Sequence, residues 1–147
     1  MGQLTNTLLR DMDTIVREMH AIYESRFKSH VLHRGQFVFI TRVCEMPGVS
    51  LSELSYQLKM DKTTVTKAIQ KLVNCGYIAK SQDLLDKRVW HLNPTDAAIG
   101  LYAEIIAEKN RIIKVCLGGS DLHDLEVFSK VINQIFINMT NEWSQLH

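Results

Sequence analysis

The sequence predicts a mainly α-helical chain with one small β-hairpin. Three observations carry that expectation. Residues 3–29 and residues 96–143 repeat apolar side chains in steps of three or four, the spacing of a helix face. Two short helical patterns in the middle begin at Ser50 and Asp61, and the second ends at Gly76. Two β-type runs follow, Tyr77–Ser81 and Arg88–Leu92, joined by a polar-flanked loop. A helix-turn-helix followed by a β-wing, framed by helices at both ends, accounts for all three.

Composition sets the class. A chain of 147 residues that is 46% hydrophobic holds enough apolar surface for a core without disulfides or metal. Cys44, Cys75 and Cys116 are odd in number and widely spaced, with no CxxC, which suggests reduced thiols in a cytoplasmic protein. Met1–Asn6 lacks the basic start and apolar block of a signal peptide. No apolar run approaches the roughly 20 residues of a membrane span. No GxSxG, HExxH, P-loop or Gly-rich nucleotide turn occurs, so neither an enzyme nor a cofactor is expected. The histidines (20, 30, 33, 91, 123 and 147) form no His-x3-His pair or Cys/His cluster, and no metal site is expected.

The first helical stretch places Leu4, Leu8, Met12, Ile15, Met19, Ile22, Tyr23 and Phe27 on one stripe, which must pack on the body or on a partner chain. Residues 34–45 read as a second helix with Phe37, Ile40, Val43 and Cys44 inward, and Pro47-Gly48 turns the chain. Ser50 with Glu53 three residues later fits a capping box, with Leu51, Leu54 and Leu58 on the buried face of a short helix. Lys59 and Met60 make the turn. Asp61 caps the next helix, Lys62–Cys75, which buries Val65, Ala68, Ile69 and Leu72 before Gly76 ends it.

Charge singles out this middle region. From Lys59 to His91 there are seven Lys/Arg against three Asp, a balance of +4, so the rest of a +1 chain carries −3. Such a segment fits a phosphate-contacting surface or a solvated helix face. The outer face of the second helix shows Lys62, Thr63, Thr64, Thr66, Lys67, Gln70 and Lys71, with no acidic residue past the cap. A face kept only for solubility mixes both signs. Lysine meets phosphate or guanine, glutamine pairs with adenine, and a threonine methyl touches thymine. Lys80 lies in the first strand, and Lys87 and Arg88 lie near the hairpin tip, with Asp83 and Asp86 as turn residues. An arginine on a projecting loop suits a narrow minor groove, although an ordinary surface arginine is the alternative.

Pro94 cannot donate to a ladder, so the second strand is expected to end by Asn93. Thr95 then caps residues 96–116, whose apolar positions Ile99, Leu101, Tyr102, Ile105, Ile106, Ile112, Ile113 and Val115 spread so widely that the helix should be well buried. Gly118-Gly119 breaks it, with Ser120 as the next cap. The last helix carries Leu122, Leu125, Phe128, Val131, Ile132, Ile135, Met139 and Trp143.

The central motifs resemble the MarR family of bacterial transcriptional regulators. The resemblance rests on Leu51-Ser52-Glu53-Leu54, Thr64-Val65-Thr66-Lys67, Leu72, Gly76-Tyr77-Ile78 and Asp86-Lys87-Arg88, with Leu32 and Gln36-Phe37 similar to the start of the family's second helix. It covers residues 30–98 by motif and the rest by helix order. It implies a winged helix-turn-helix lobe over residues 31–95, with 1–30 and 96–147 as N- and C-terminal dimerisation helices of one domain. It also implies a cytoplasmic homodimer on double-stranded DNA with a pseudo-palindromic operator, acting as a repressor released by an effector. Arg88 would enter the minor groove, and Asp86 would orient the wing through a salt bridge. The chain departs from the family at Pro94-Thr95-Asp96-Ala97-Ala98, where only the threonine of the usual motif is kept, and at His33 in place of threonine.

Family members often sense small aromatic or lipophilic acids. Tyr23, Phe27, His33, Arg34 and Phe37 are the candidate effector pocket here, and an ordinary core cluster is the competing reading. Cys44 and Cys116 fall on mostly apolar faces and read as packing residues, while Cys75 stands at a helix end that does not activate a thiol. The competing functional class is a winged-helix protein-interaction module without an operator, which would show apolar residues where the Lys62–Lys71 face is polar.

Overall fold

The computed structural model describes residues 7–27 and 35–146. Its elements run α1 (Leu8–Arg26), α2 (Gln36–Glu45), β1 (Val49–Ser50), α3 (Leu51–Leu58), α4 (Lys62–Asn74), β2 (Ile78–Gln82), β3 (Trp90–Pro94), α5 (Asp96–Cys116) and α6 (Leu122–Ser144). The chain divides into two compact units, Met1–Glu108 and Lys109–His147, with α5 running through the boundary.

The core of the first unit gathers one seam from each element. Phe39, Ile40 and Val43 come from α2, Leu54 from α3, and Val65, Ile69 and Leu72 from α4. The strands add Val49, Ile78 and Leu92, and α5 adds Ala98, Leu101 and Ile105. Burying a side chain of this size stabilises by roughly 1.5–3 kcal/mol relative to exposure. Ala68 is only half-buried at the edge of this core. In α2 the inward set differs from expectation. Phe39 and Thr41 are buried, whereas Phe37 and Cys44 are half-buried beside the core. Burial and the nearby Glu45 raise the Cys44 thiol above its ordinary pKa, which suits a packing residue.

The local signals explain the element ends. Ser50 Oγ accepts from the Glu53 amide at 3.2 Å and the Glu53 carboxylate accepts from the Ser50 amide at 2.9 Å, a complete capping box. Asp61 Oδ1 accepts from the Thr64 amide at 2.8 Å and starts α4. The turn between these helices places Lys59 at φ 53°, an uncommon value for a residue with a side chain. Gly76 takes φ 79° just past α4.

The sheet is larger than the predicted hairpin. β1 adds to β3 in the order β1-β3-β2, all antiparallel, with Val49 and Lys80 both opposite Leu92. A strand of two residues has no alternation to detect. The wing strands also sit two residues later than expected at β3, and β3 runs through Pro94 rather than ending by Asn93. The Thr95 amide donates to the Tyr77 carbonyl at 3.1 Å, so the next pair, Ile78 with Pro94, is one in which neither residue donates across β2–β3. The proline nitrogen therefore costs that ladder no hydrogen bond.

Three expectations for the C-terminal helices are corrected. In α5 only Ala98, Leu101, Ile105 and Ile112 are buried, and Ile99, Ile113 and Val115 are exposed, because one chain covers a single stripe of this helix. Asp121, not Ser120, caps α6, accepting from the Asp124 amide at 2.8 Å. α6 has no buried residue, and Cys116 is exposed rather than packed. Among the described residues no helix is long and apolar enough to cross a membrane.

Ile69 is fully buried between the helices of the first unit. Ile69→Ala should lower unfolding free energy by about 2–5 kcal/mol, read as a shift in the urea midpoint at constant slope.

Candidate nucleic-acid interface

α4 is amphipathic, with an apolar seam inward and a polar face outward. Val65, Ile69 and Leu72 are sealed in the core, while Lys62, Thr63, Thr64, Thr66, Lys67, Gln70 and Lys71 are all exposed on the other side. The structure thus brings together on one surface every helix residue singled out from the sequence. Lys80 joins them from β2, with Nζ donating to Gln70 Oε1 at 3.1 Å. Gln70 Nε2 in turn donates to Asn74 Oδ1 at 2.9 Å. These contacts fix the tilt of the glutamine amide and tie the wing root to α4.

The wing loop projects past β2 and β3. Leu84 and Leu85 form its tip and are 96% and 98% exposed. Lys87 and Arg88 follow on the returning limb. The Asp86 carboxylate grips Arg88 three times: Oδ1 accepts from the Arg88 amide at 3.0 Å and from Nε at 3.1 Å, and Oδ2 accepts from Nη2 at 3.2 Å. The arginine side chain is nonetheless 91% exposed. Its charge is aimed but not covered. The hydrogen bonds from the Arg88 side chain and then its amide hold the Asp86 carboxyl below the ordinary carboxylate range.

Asp83 and His91, neither given a site role from the sequence, complete the wing. Asp83 Oδ1 accepts from the amides of Leu85 and Asp86 at 2.8 and 2.9 Å, closing the loop as an Asx turn. Asp83 Oδ2 meets His91 Nε2 at 2.8 Å, and His91 Nδ1 meets the Gly48 carbonyl at 2.7 Å. Gln82 Nε2 also donates to the Lys87 carbonyl. Asp83 was visible only as a turn former, and the contact between His91 and Gly48 spans 43 residues, so no local pattern marks it.

The candidate effector residues are divided. Phe27 is 7% exposed and belongs to the core, with its ring 5.2 Å from that of Phe37, and Tyr23 packs beside them. His33 and Arg34 lie outside the described residues. A separate open cleft of about 340 Å³ lies between the start of α2 and α4, lined by Phe39, Met60, Thr64, Lys67, Ala68 and Lys71 among others. Among the described residues no group of three or more His, Cys, Asp or Glu is arranged to hold a metal ion.

A basic, acid-free helix face beside a β-wing carrying an exposed arginine defines a winged helix-turn-helix DNA-binding protein. The MarR family profile matches residues 32–90. An uncharacterised HTH-type transcriptional regulator of Bacillus subtilis (strain 168), YybA, is 30% identical over 138 residues, covering 94% of this chain and 92% of that one. The solved structure of a MarR protein from Peptoclostridium difficile superposes with a TM-score of 0.94 at 41% identity, over 100% of this chain and 96% of that one. A MarR family transcriptional regulator from Listeria monocytogenes, solved in complex with 26mer DNA, gives a TM-score of 0.88 at 30% identity, over 99% and 95%. The chain belongs to the MarR family and is a DNA-binding transcriptional regulator.

The lowered Asp86 pKa has a testable sign. Its contribution is present above the ordinary carboxylate value of 3.8 and is lost as pH falls through the lower folded value. The Asp86 side-chain carboxyl carbon should therefore hold its ionised chemical shift at mildly acidic pH and titrate only below 3.8, as followed by NMR.

Proposed function

We propose that this chain acts as a homodimeric repressor that holds a pseudo-palindromic operator through two α4 helices and two wings. The observation that carries this is the pairing of an acid-free α4 face with an Arg88 that Asp86 orients yet leaves 91% exposed. In this reading Lys62, Thr63, Thr64, Thr66, Lys67, Gln70 and Lys71 lie along the major groove, with Lys80 and Lys87 on flanking phosphates. Arg88 enters the adjacent minor groove, where a narrow groove deepens the negative potential.

Dimerisation is supported by apolar surface that one chain leaves open. On α6, Phe128, Val131, Ile132, Phe136 and Met139 are exposed at helical spacing, and on α1 Leu8, Leu9, Ile15 and Val16 are exposed. Patches of this kind on a lone chain mark an interaction surface. Two-fold pairing would set two α4 helices on half-sites about 10 bp apart. Regulation would come from a small aromatic or lipophilic acid in the cleft beneath α4. Phe39, Met60 and Ala68 offer it an apolar floor, and Lys67 and Lys71 offer a carboxylate two ammonium groups. A ligand there would engage lysines that the DNA also needs, which is how it would release the operator.

Arg88→Ala should weaken operator binding at least tenfold, on the order of 1–3 kcal/mol, with the fold unchanged by circular dichroism. It should also reduce the slope of log K against log salt by about one unit per lobe. Undiminished affinity would remove the wing from the mechanism. The wild-type chain should sediment as a dimer, and the double variant Phe128→Asp, Phe136→Asp should dissociate at least about thirtyfold more readily in analytical ultracentrifugation.

A further inference from the structure

His91 stands on β3 opposite Ser81 of β2 and Ser50 of β1. Each of its ring nitrogens faces an oxygen that only accepts. The Gly48 carbonyl, in the turn before β1, carries no hydrogen. The Asp83 carboxylate carries none either, because the His91 hydrogen bond and the Asp86 and Leu85 amides hold its pKa down to about 2. A neutral imidazole donates from one nitrogen alone and would turn a lone pair toward the other oxygen. The imidazolium donates to both. The contacts then form an unbroken series: Gly48 to His91, His91 to Asp83, Asp83 to the Asp86 amide, and Asp86 to Arg88.

We propose that His91 is a positioning residue for DNA binding: as an imidazolium it clamps the wing loop to the lobe through Asp83, and its deprotonation loosens the wing that presents Arg88. This rests on the reading of Arg88 as a DNA contact. The Asp83 and Glu53 carboxylates both favour the charged ring, while the Arg88 cation of this loop is paired with Asp86. Glu53, on α3, is held ionised by the Ser50 amide and adds negative charge near the ring. Asp86, on the loop, is a second carboxylate beside Asp83. The residues opposite on β1 and β2, Ser50 and Ser81, are neutral. Partial burial of the ring opposes its charge, but the Asp83 and Gly48 hydrogen bonds outweigh it and raise the His91 pKa above the ordinary 6.5.

The sign follows. A raised histidine pKa contributes stability that is full below 6.5 and is lost as pH rises through the folded value. Asp83 works the other way, contributing above 3.8 and losing its contribution as pH falls through about 2. The clamp therefore opens on the alkaline side. Operator phosphates would favour the imidazolium further, so binding takes up protons wherever the free ring is partly deprotonated.

The test uses the full chain and a duplex that the wild type enriches from a random-sequence pool, with Kd followed by fluorescence anisotropy at constant ionic strength from about pH 6 to about pH 9. Wild-type affinity should fall about three- to tenfold across this range. Asp83→Asn should flatten that fall, because the introduced amide donates to Nε2 of a neutral ring while Nδ1–H still serves Gly48. His91→Gln should also be flat, near the alkaline limit of the wild type. In the free wild type, imidazole NMR should find both ring nitrogens protonated at mildly acidic pH and one proton lost at a pKa above 6.5. Parallel pH slopes in all three proteins, with binding intact, would overturn the proposal alone. No duplex bound at any pH would overturn the DNA-contact reading and the proposal with it.

Discussion

The structure depends on α4 being held from one side only. Val65, Ile69 and Leu72 are fully buried, and they anchor the helix to α2, α3 and the sheet at once. That seam leaves the opposite face exposed, with Gln70 alone on it tied to the rest of the lobe through Lys80. The exposed lysines and threonines of that face, Lys62, Thr63, Thr64, Thr66, Lys67 and Lys71, bury little on folding, and a row of ammonium groups slightly opposes it. Their cost is tolerable because the seam is complete. Thirteen residues thus divide into an apolar seam for the core and a polar face left to the solvent side.

The wing solves a different problem. A loop with two leucines in water at its tip has no core to hold it. Its order comes from carboxylates instead. Asp83 closes the turn and reaches back to β3, and Asp86 closes on Arg88. Exposed ion pairs add little stability by themselves, but here each carboxylate group meets at least one backbone amide as well as a side chain. The loop is built as a hydrogen-bonded object, and its shape therefore depends on protonation more than the helices do.

How much of this was legible in the sequence follows from the range of each interaction. The capping box at Ser50, the Asp61 cap and the left-handed Gly76 are set within four residues, and each stands where the pattern placed it. The polar face of α4 was legible because helical periodicity alone sorts it from the seam. β1 was not, since two residues carry no alternation and their pairing with β3 is set by contacts some forty residues away. Pro94 misled because a missing donor matters only at a pair that exchanges hydrogen bonds, and the register decides which pair that is. Cys116 and the outer positions of α5 were expected to be buried from their apolar neighbours. Periodicity says that a face is apolar, but it does not say which molecule covers it.

Thr95 carries one more consequence. Its hydroxyl lies 2.7 Å from the Gly76 carbonyl and 3.1 Å from that of Tyr77, and it accepts from the Ala98 amide at 3.3 Å. One oxygen atom thus fastens the exit of α4 to the entry of α5. Elsewhere such a junction would be a free hinge. Here one hydroxyl bonds both helix ends, so the end of α4 and the start of α5 are tied to each other rather than joined only by the chain between them. A serine in place of this threonine would keep both halves of the coupling, and an alanine would lose both.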